Sequence, residues 1–350
     1  MSAAVTIVTC NSDRYIGPCL ESLLVQTRRP AEIAVVDNAS SDGTFRVLSR
    51  FRRHIRLFRN RENTGFAAAQ NQAIRRTSAE WVLTLNPDVQ MRPDFLERLL
   101  DAGQLDPAVG TVCGKLLSIE PDLRPPEHPV LDSTGIYFTP EFRHFDRGWG
   151  EPDDGRYSRS EYVFGASAAA ALYRRRMMAD LSIDGEFFDP AFFAYREDAD
   201  VSWRAQLLGW RCLYTPDGVA HHVRQARPGP RNATSPLINM HSVKNRFLLR
   251  INNATLPLYA RHLLAVTVRD AIVAGGCLVR EQSSLPAFWK LLRALPRALA
   301  RRRWIMQRRT VSDSYLASWF HPDPVGYPLD PQAAPQPAPV SGKAQSASAF

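Results

Sequence analysis

The chain has 350 residues, of which 45% are hydrophobic and 10% aromatic, and its formal net charge is +9. This content suffices for one large hydrophobic core with a smaller appendage, and it excludes a natively disordered chain. Five cysteines without a CxxC pair exclude a disulfide framework or a zinc cluster and indicate a reducing cytoplasm. No basic leader precedes the first apolar run, so we expect no secretory signal, and no apolar run reaches the roughly 18 residues of a membrane span.

The first half of the chain alternates short apolar runs with helical patterns. The runs AVTIVT, EIAVVD, HIRLF and WVLTL predict strands, and the helices predicted between them cover Ile16–Gln26, Thr44–Arg53 and Phe66–Arg76. This alternation predicts βαβ units and a parallel sheet covered by helices on both faces. Ligands of such open sheets bind beyond the carboxyl ends of the strands.

Three of the predicted strands end in polar segments. These are CNS at residues 10–12, DNASSDG at residues 37–43 and NPD at residues 86–88. Each segment alone would also serve as a turn or a helix cap, and residues 41–44 suit capping. Because three strands in succession end in segments that carry amides or carboxylates, the sequence favours a crevice for a polar ligand there.

The pattern from residue 109 to residue 220 is less regular. GASAAAALYRR predicts a tightly packed strand, a short helix follows, and an aromatic loop then leads into a helix that begins near Glu197 and Asp198. Glu197, Asp198 and Asp200 fall in the first turn, where the helix dipole alone stabilises an acid by about 0.3–1 kcal/mol. The aromatic residues of FFAY, just before them, also predict carboxylates at the rim of an apolar pocket, where a carboxyl pKa rises toward that of a general base.

Beyond residue 253 the sequence is helical and basic, and it ends in a Pro/Ala/Gln/Ser-rich segment. Residues 280–309 contain nine Arg or Lys residues and one acid, Glu281. We expect a catalytic domain at residues 1–253, a basic helical region at 254–328 and a disordered tail at 329–350.

The basic segment KLLRALPRALARRRWIMQRR allows three interpretations. It predicts amphipathic helices on an anionic membrane surface, a helical face packed on the catalytic domain, or an oligomer contact. Pro296 disfavours a single straight helix. Nucleic acid is not an expected partner, because the positive charge is not accompanied by a nucleic-acid-binding motif.

Several motifs, in this order, resemble the family 2 nucleotide-sugar glycosyltransferases with the GT-A fold, and among them the rhamnosyltransferase-like branch. They cover about residues 4–250 and read VTCNS, VVDNASSDGT, NTGFAAAQNQAI, LNPDV, FFAYREDADVSWRAQLLGW, AHHVR and HSVKNRFLLR. The resemblance implies an α/β fold with a nucleotide-binding parallel βαβ half, a mixed-sheet acceptor half and a C-terminal helical extension. It also implies an inverting transferase. Without a QxxRW motif or a membrane span, we expect the addition of one or a few sugars.

The resemblance implies roles for the acidic residues. Mg²⁺ or Mn²⁺ would stabilise the diphosphate leaving group, and such cations need few protein ligands. Asp88 is the implied metal ligand, in NPD where the family usually has Asp-x-Asp, and His222 of AHHVR is the second, with His221 as the alternative. Asp198 is the implied general base, with Glu197 as the alternative.

The resemblance also implies the substrates. Asp37 and Asn38 would contact the nucleoside, and the NTGF segment would bring helix N–H groups near the diphosphate.

The implied donor is dTDP-L-rhamnose, although a UDP- or GDP-sugar would leave the same motifs. The implied acceptor is a lipid-linked or cell-envelope glycan, with the protein peripheral at the inner face of the plasma membrane. A non-catalytic membrane-docked scaffold is the alternative. The implied substrate-binding residues are Thr9, Asn11, Asp37, Asn38, Asn63, Gly65, Phe66 and Asn86.

Overall fold

A computed structural model describes residues 1–224 and 235–330, and its centre is a mixed sheet of eleven strands with a separate two-stranded hairpin. The strands are β1 Ala3–Thr9, β2 Glu32–Asp37, β3 Arg56–Arg59, β4 Trp81–Leu85, β5 Val89–Met91, β6 Val109–Ser118, β7 Leu131–Ser133, β8 Ile136–Phe138, β9 His144–Asp146, β10 Glu161–Val163, β11 Ala170–Arg174, β12 Arg211–His222 and β13 Tyr327–Pro328. The order across the large sheet is β13-β10-β12-β6-β11-β4-β1-β2-β3, while β5 pairs with β12, β7 pairs with β6, and β8 and β9 form the hairpin.

Helices cover the sheet and form the C-terminal region. They are α1 Ile16–Leu24, α2 Thr44–Arg50, α3 Phe66–Ile74, α4 Phe95–Ala102, α5 Arg175–Leu181, α6 Glu197–Leu207, α7 Pro236–Asn253, α8 Leu256–Arg261, α9 Leu263–Val279, α10 Pro286–Arg308 and α11 Asp313–Ala317. A 3-10 turn, Pro190–Phe192, precedes α6.

The first half of the chain forms the predicted parallel βαβ layer. Strands β4, β1, β2 and β3 are neighbours in that order and all run parallel. Every residue of β1 and of β4 is buried, as the continuous apolar runs indicate for strands with both faces covered. The four predicted strands and three predicted helices are present, and the α/β fold class is confirmed.

The second half of the sheet is mixed. Strand β11 runs antiparallel to both β4 and β6, and β12 runs parallel to β6 but antiparallel to β10 and β5. Helix α6 packs closely on this half, because Gly165 has no side chain: a Cβ there would lie 2.0 Å from Ser202 Oγ. The position of α6 therefore depends on a glycine that lies outside the helix itself.

The C-terminal region packs on the rest of the molecule. Leu316 and Phe320 belong to the main hydrophobic core, and β13 pairs with β10, with Tyr327 opposite Tyr162. The boundary expected at residue 253 stays a prediction, but packing crosses it. Most of the tail expected at 329–350 lies outside the described residues.

Helix α10 runs unbroken through Pro296. A proline in a helix interior removes one hydrogen bond and crowds the preceding turn, and here packing of α10 against α7 accompanies the continuous helix. In the ranges 1–224 and 235–330, no helix has both the length and the low polarity that crossing a membrane would take.

Candidate active site

The loops that follow β1 and β2 meet at one edge of the sheet. Thr9 lies opposite Asp37 in the parallel pairing, and the N–H of Asn38 donates to the carbonyl oxygen of Thr9 at 2.8 Å. The loops are then joined side by side, since Asn11 Oδ1 accepts from the N–H of Ser41 at 2.8 Å. Thr9 Oγ1 is buried and has no hydrogen-bond partner among the described residues. The predicted nucleoside contacts therefore lie together, and their roles stay predictions.

Asp37 and Asn38 are both buried, and they differ in how their polar atoms are used. Asp37 Oδ2 lies 3.4 Å from Arg59 Nε. Asn38 donates from Nδ2 to Asn63 Oδ1 at 2.8 Å and accepts at Oδ1 from the N–H of Thr64 at 3.1 Å. The Asn38 amide thus joins the loop after β2 to the NTGF segment, and a direct contact between Asn38 and the nucleoside stays a prediction.

The NTGF segment touches the loop that precedes α6. Gly65 has a φ of +84°, and a Cβ there would lie 2.6 Å from Phe193 Cδ2. The N–H of Ala67, in the first turn of α3, donates to the carbonyl oxygen of Phe193 at 3.2 Å, so this N–H is not available to a diphosphate. Phe66 packs edge-on against Phe188, with 6.1 Å between ring centroids. The direct diphosphate contacts predicted for this segment stay predictions.

The pairing of β5 with β12 places Asp88 beside His222. His222 lies opposite Val89, and the N–H of Val223 donates to the Asp88 carbonyl oxygen at 3.1 Å. His222 Nε2 lies 3.4 Å from Asp88 Oδ1, and both side chains are buried. Because side chains alternate along a strand, His221 faces away from Asp88.

The other end of the His222 ring is held by Asp132, a residue that the sequence analysis missed. Asp132 lies on β7, which pairs with β6, and its Oδ2 lies 2.8 Å from His222 Nδ1. Histidine ligands of metals commonly donate their second N–H to a carboxylate, which fixes the tautomer and the ring orientation. With Nδ1–H directed at Asp132, Nε2 is directed at Asp88, and a bound cation would take the place of the proton on Nε2.

An ion-pair chain continues from Asp132 toward α6. Arg224 Nε lies 2.6 Å from Asp132 Oδ1, and Arg224 Nη2 donates to Asp146 Oδ2, on β9, at 2.6 Å. Arg224 has a φ of 44°, a backbone conformation that is uncommon away from glycine. Asp146 in turn raises the pKa of Asp198 through its charge. The sequence analysis did not identify Asp146 either, and it assigned no role to Arg224 of the AHHVR motif.

The pair Asp88 and His222 fits a divalent cation. Asp88 and His222 would supply one oxygen and one nitrogen ligand, and Mg²⁺ or Mn²⁺ needs few ligands from the protein because phosphate oxygens and waters complete its shell. Burial lowers the pKa of His222, but the charges and hydrogen bonds of Asp132 and Asp88 outweigh it and raise that pKa to about 10. The two carboxylates thus favour a positive charge between them. In the described ranges, no group of three or more His, Cys, Asp or Glu side chains is arranged to hold a metal ion.

Asn86 fixes the turn that presents Asp88. Its N–H donates to the carbonyl oxygen of Ala169 at 2.8 Å, and its carbonyl oxygen accepts from the N–H of Val89 at 3.3 Å. The backbone of Asn86 thus joins the end of β4 to the segment that leads into β11. A substrate contact by its side chain stays a prediction.

Asp198 and Glu197 lie at the start of α6. Withdrawal from water and the charge of Asp146 raise the pKa of Asp198 to about 6, although the N–H groups of Ala199 and Ala168 bond its two oxygens. Burial, followed by the charge of Asp198, raises the pKa of Glu197 further, and Glu197 Oε2 has no hydrogen-bond partner among the described residues. Burial and neighbouring charge thus raise the pKa of both carboxyl groups, and Asp198, with a pKa of about 6, is ionised at neutral pH.

The expectation that Asp200 lies at the pocket rim is wrong. Asp200 Oδ2 lies 2.8 Å from Arg204 Nη2, and both side chains are fully buried. Asp200 Oδ1 also accepts from Asn253 Nδ2 at 2.7 Å. Two residues along a helix turn the side chain by about 200°, so Asp200 points into the core while Asp198 remains partly exposed.

The loop before α6 has an unusual backbone. Phe193, Tyr195 and Arg196 have φ values of 64°, 66° and 74°, which cost free energy for residues other than glycine. Asn245 of α7 holds this loop: its Nδ2 lies 2.8–2.9 Å from the carbonyl oxygens of Phe192, Ala194 and Tyr195. Packing from α7 therefore sets the position from which α6 begins.

Comparison with known proteins agrees with this architecture. The model of glycosyl transferase family 2 matches residues 4–182. The N-acetylglucosaminyl-diphospho-decaprenol L-rhamnosyltransferase of Mycobacterium tuberculosis is 29% identical over 272 residues, which are 70% of this chain and 83% of that protein. The chain belongs to glycosyl transferase family 2.

Solved structures share the fold. GalNAc-T7 with UDP, GalNAc and Mn²⁺ aligns with a TM-score of 0.59 at 13% identity, over 85% of this chain and 57% of that one. Staphylococcus aureus TarS 1-349 with UDP aligns with a TM-score of 0.52 at 17% identity, over 88% of this chain and 87% of that one. This chain covers half of the longer TarS chain, with a TM-score of 0.53. The architecture is thus of the GT-A type.

Proposed function

We propose that the protein transfers a sugar, with inversion, from a nucleoside diphosphate to an acceptor hydroxyl. The observation that carries the proposal is the ion-pair chain from the Asp88–His222 pair through Asp132, Arg224 and Asp146 to the neighbourhood of Asp198. This chain links a pair of side chains suited to a divalent cation with a carboxylate suited to a base. The ion pairs fix the position of Asp146, whose charge tunes the pKa of Asp198.

The side chains divide the reaction between them. Asp88 and His222 would hold Mg²⁺ or Mn²⁺, which, when bound, offsets the charge that develops on the departing diphosphate. Asp198 takes the proton of the acceptor hydroxyl; with a pKa of about 6 it is ionised at neutral pH and still basic enough to accept that proton. Glu197, beside it, would hold the acceptor hydroxyl or a neighbouring side chain.

We propose dTDP-L-rhamnose as the donor and a lipid-linked or cell-envelope glycan as the acceptor. The support is the likeness to the mycobacterial rhamnosyltransferase, whose name gives L-rhamnose as the sugar and N-acetylglucosaminyl-diphospho-decaprenol as the acceptor. A UDP- or GDP-sugar donor is the alternative, since the pocket residues that we assign to the donor do not distinguish the nucleosides. The proposed substrate contacts are Thr9, Asn11, Asp37, Asn38, Asn63, Gly65, Phe66 and Asn86.

We also propose that the protein docks on an anionic membrane, at the inner face of the plasma membrane, through α9 and α10. The exposed side of α9 is apolar, with Leu264, Val268 and Ile272 each more than half exposed. Arg293 and Arg297 are exposed on α10, and basic residues near an anionic surface contribute about 1 kcal/mol each. An apolar face beside basic side chains is typical of helices that lie in the membrane interface.

Vesicle sedimentation tests this docking surface. We expect the full chain to bind phosphatidylglycerol vesicles more than phosphatidylcholine vesicles, and Ile272→Glu to reduce that binding at least tenfold. Asp217→Ser, a polar change elsewhere on the surface, serves as the matched control. Equal binding of the Ile272→Glu variant, or a dimer in solution that Ile272→Glu dissociates, would contradict membrane docking.

Calorimetric titration with dTDP, UDP and GDP, each with and without Mn²⁺, tests the donor site. We expect Mn²⁺ to strengthen nucleotide binding, with dTDP preferred. Preference for UDP would keep the reaction and replace the donor. Absence of binding by all three nucleotides would favour a non-catalytic scaffold that has kept the fold.

A further inference from the structure

Arginines from four separate segments lie close to one another, and three of them, Arg143, Arg196 and Arg246, lie near His144. The four arginines are Arg143 in the turn between β8 and β9, Arg196 at the start of α6, Arg246 on α7 and Arg269 on α9, which we call the arginine cluster. Arg196 Nη1 lies 3.0 Å from His144 Nδ1. An arginine can only donate, so His144 accepts this hydrogen bond as a neutral imidazole.

The arginines of the cluster act on one another. Burial and the charges of Arg196, Arg269 and Arg250 lower the pKa of Arg246 to about 9. Burial and Arg269 likewise lower the pKa of Arg143. Within the described residues, no carboxylate oxygen lies within 4.0 Å of Arg143, Arg246 or Arg269, and Arg269 Nε is buried without a hydrogen-bond partner.

The acids near the cluster do not neutralise it. Asp270 is already bonded to Arg250, with 2.7 Å between Oδ2 and Nη2. Among the described residues, Glu141 is a further acid near Arg143 and Arg269, and it forms no ion pair with either. Grouping like charges out of water costs free energy unless a counter-charge joins them. The cluster therefore fits an anion with several oxygen acceptors.

The cluster lies at the Asp198 end of the site. His144 and Asp146 are two residues apart on β9 and so share one face of the strand. His144 faces the cluster, while Asp146 contacts Arg224 and acts on Asp198. Arg196 also directly precedes the first turn of α6. The Asp88–His222 pair lies at the other end of the ion-pair chain, so the cluster is distinct from the proposed donor diphosphate site.

We propose that the arginine cluster binds the diphosphate group of the acceptor. This inference rests on the proposed function, because it assigns the cluster to the acceptor of the same reaction. Guanidinium groups match phosphate oxygens in paired, charge-assisted hydrogen bonds. Arg269 lies on α9, three residues before the exposed Ile272 of the apolar face and so beside it on the helix surface, so a lipid chain leaving the diphosphate would meet apolar surface. The cluster thus selects acceptors that carry both a diphosphate and a lipid.

Binding of geranyl diphosphate and of inorganic pyrophosphate, measured by calorimetry on the full chain, tests the proposal. We expect both compounds to bind the wild-type protein and geraniol not to bind. Arg246→Gln and Arg269→Gln should each weaken diphosphate binding about tenfold, because each variant loses one charge-assisted contact. Arg176→Gln, which removes an exposed arginine on α5, should leave it unchanged. Arg269→Lys should recover part of the affinity. If the buried Arg246→Gln variant fails to fold, Arg143→Gln replaces it.

A parallel titration with dTDP and Mn²⁺ separates this inference from the proposed function. Unchanged nucleotide binding in the Arg→Gln variants supports an acceptor site. Equal loss of nucleotide binding would assign the cluster to the donor and overturn the proposal, as would absence of diphosphate binding by the wild-type protein. Loss of binding to phosphatidylglycerol vesicles alone, with geranyl diphosphate binding intact, would assign the cluster to membrane headgroups and overturn it as well. Failure of the proposed function would appear instead as absence of metal-dependent nucleotide binding by the wild-type protein.

Discussion

The three acids in the first turn of α6 have different roles because their side chains point in different directions. Asp200 points inward to Arg204 and Asn253, whereas Asp198 remains partly exposed next to Glu197. The helix dipole acts on all three alike. Burial and the charge of Asp146 raise the pKa of Asp198 to about 6, and its partial exposure leaves it available as a base.

Replacing Asp198 with Asn should abolish base catalysis. We expect kcat to fall by about 10²–10⁴, the usual contribution of a general base, with the dTDP affinity unchanged. In the wild-type enzyme kcat/KM should fall as pH drops below about 6, because protonation of Asp198 removes the base. A pH–rate profile measures this, and Glu197→Gln serves as the neighbouring control. A profile that stays flat down to pH 4.5 would contradict the assignment.

Asp132 is predicted to act on a bound cation through His222. Asp132→Asn keeps the shape of the side chain but weakens the hold on the Nδ1–H of His222. We expect Mn²⁺-dependent nucleotide affinity to fall about 10–100-fold, the usual effect of losing such a partner. Calorimetry with and without Mn²⁺ measures it, and Asp153→Asn, at the Lys115 ion pair, is the control. An unchanged response to Mn²⁺ would show that Asp132 supports the fold alone.

At the scale of elements, the loop before α6 is held from α7. The three carbonyl contacts of Asn245 stabilise a loop with three positive φ values. Asn245 is therefore a positioning residue, since its described contacts are with the backbone of that loop. Its sequence context, HSVKNRFLLR, was recognised, but its role depends on how α7 packs against the loop.

Asn245→Ala should loosen the loop and displace the start of α6. We expect kcat to fall at least tenfold while the nucleotide affinity stays the same, because the donor pocket lies on other elements. Comparing kcat with the dTDP dissociation constant measures this split. Ser242→Ala, on the same helix, is the control. A parallel loss of nucleotide affinity and of kcat would argue for general destabilisation.

The elements differ in how far the sequence predicts them. The strands of the first half are visible because both faces are buried and the apolar runs are continuous. Asp88 and His222 were found because they belong to motifs at strand ends. Asp132 was not, because it meets His222 only through the pairing of β7 with β6 beside β12, across 90 residues of sequence. A local sequence pattern does not show which residues of distant strands lie beside each other.

At the scale of the whole molecule, the basic C-terminal helix is partly a structural element. Arg301 of α10 is buried, and its Nε lies 3.0 Å from Asp189 Oδ2, in the turn that leads to α6. Arg302 donates to the carbonyl oxygen of Ile251 at 3.1 Å. Some arginines of α10 thus pack against the catalytic part of the protein, whereas others lie on its exposed side. A sequence pattern cannot separate them, because both lie on the same basic helix.

Arg301→Met should destabilise the fold. Removing one partner leaves Asp189 buried without its closest counter-charge, and we expect a loss of about 3 kcal/mol in the free energy of unfolding. Urea denaturation measures it, with the exposed Arg303→Met on the same helix as the control. Equal stability of the two variants would show that α10 contributes little to the catalytic body.

We propose that this family 2 glycosyltransferase transfers its sugar with Asp198 as the base and the Asp88–His222 pair holding the cation. Transfer from dTDP-L-rhamnose to a short-chain prenyl-diphospho-N-acetylglucosamine, with Mn²⁺, tests this directly when the wild-type protein is compared with Asp198→Asn and Asp88→Ala variants. We expect product with the wild-type protein alone, dTDP binding retained by Asp198→Asn, and Mn²⁺-dependent dTDP binding lost in Asp88→Ala. Product formation by Asp198→Asn at the wild-type rate would contradict it.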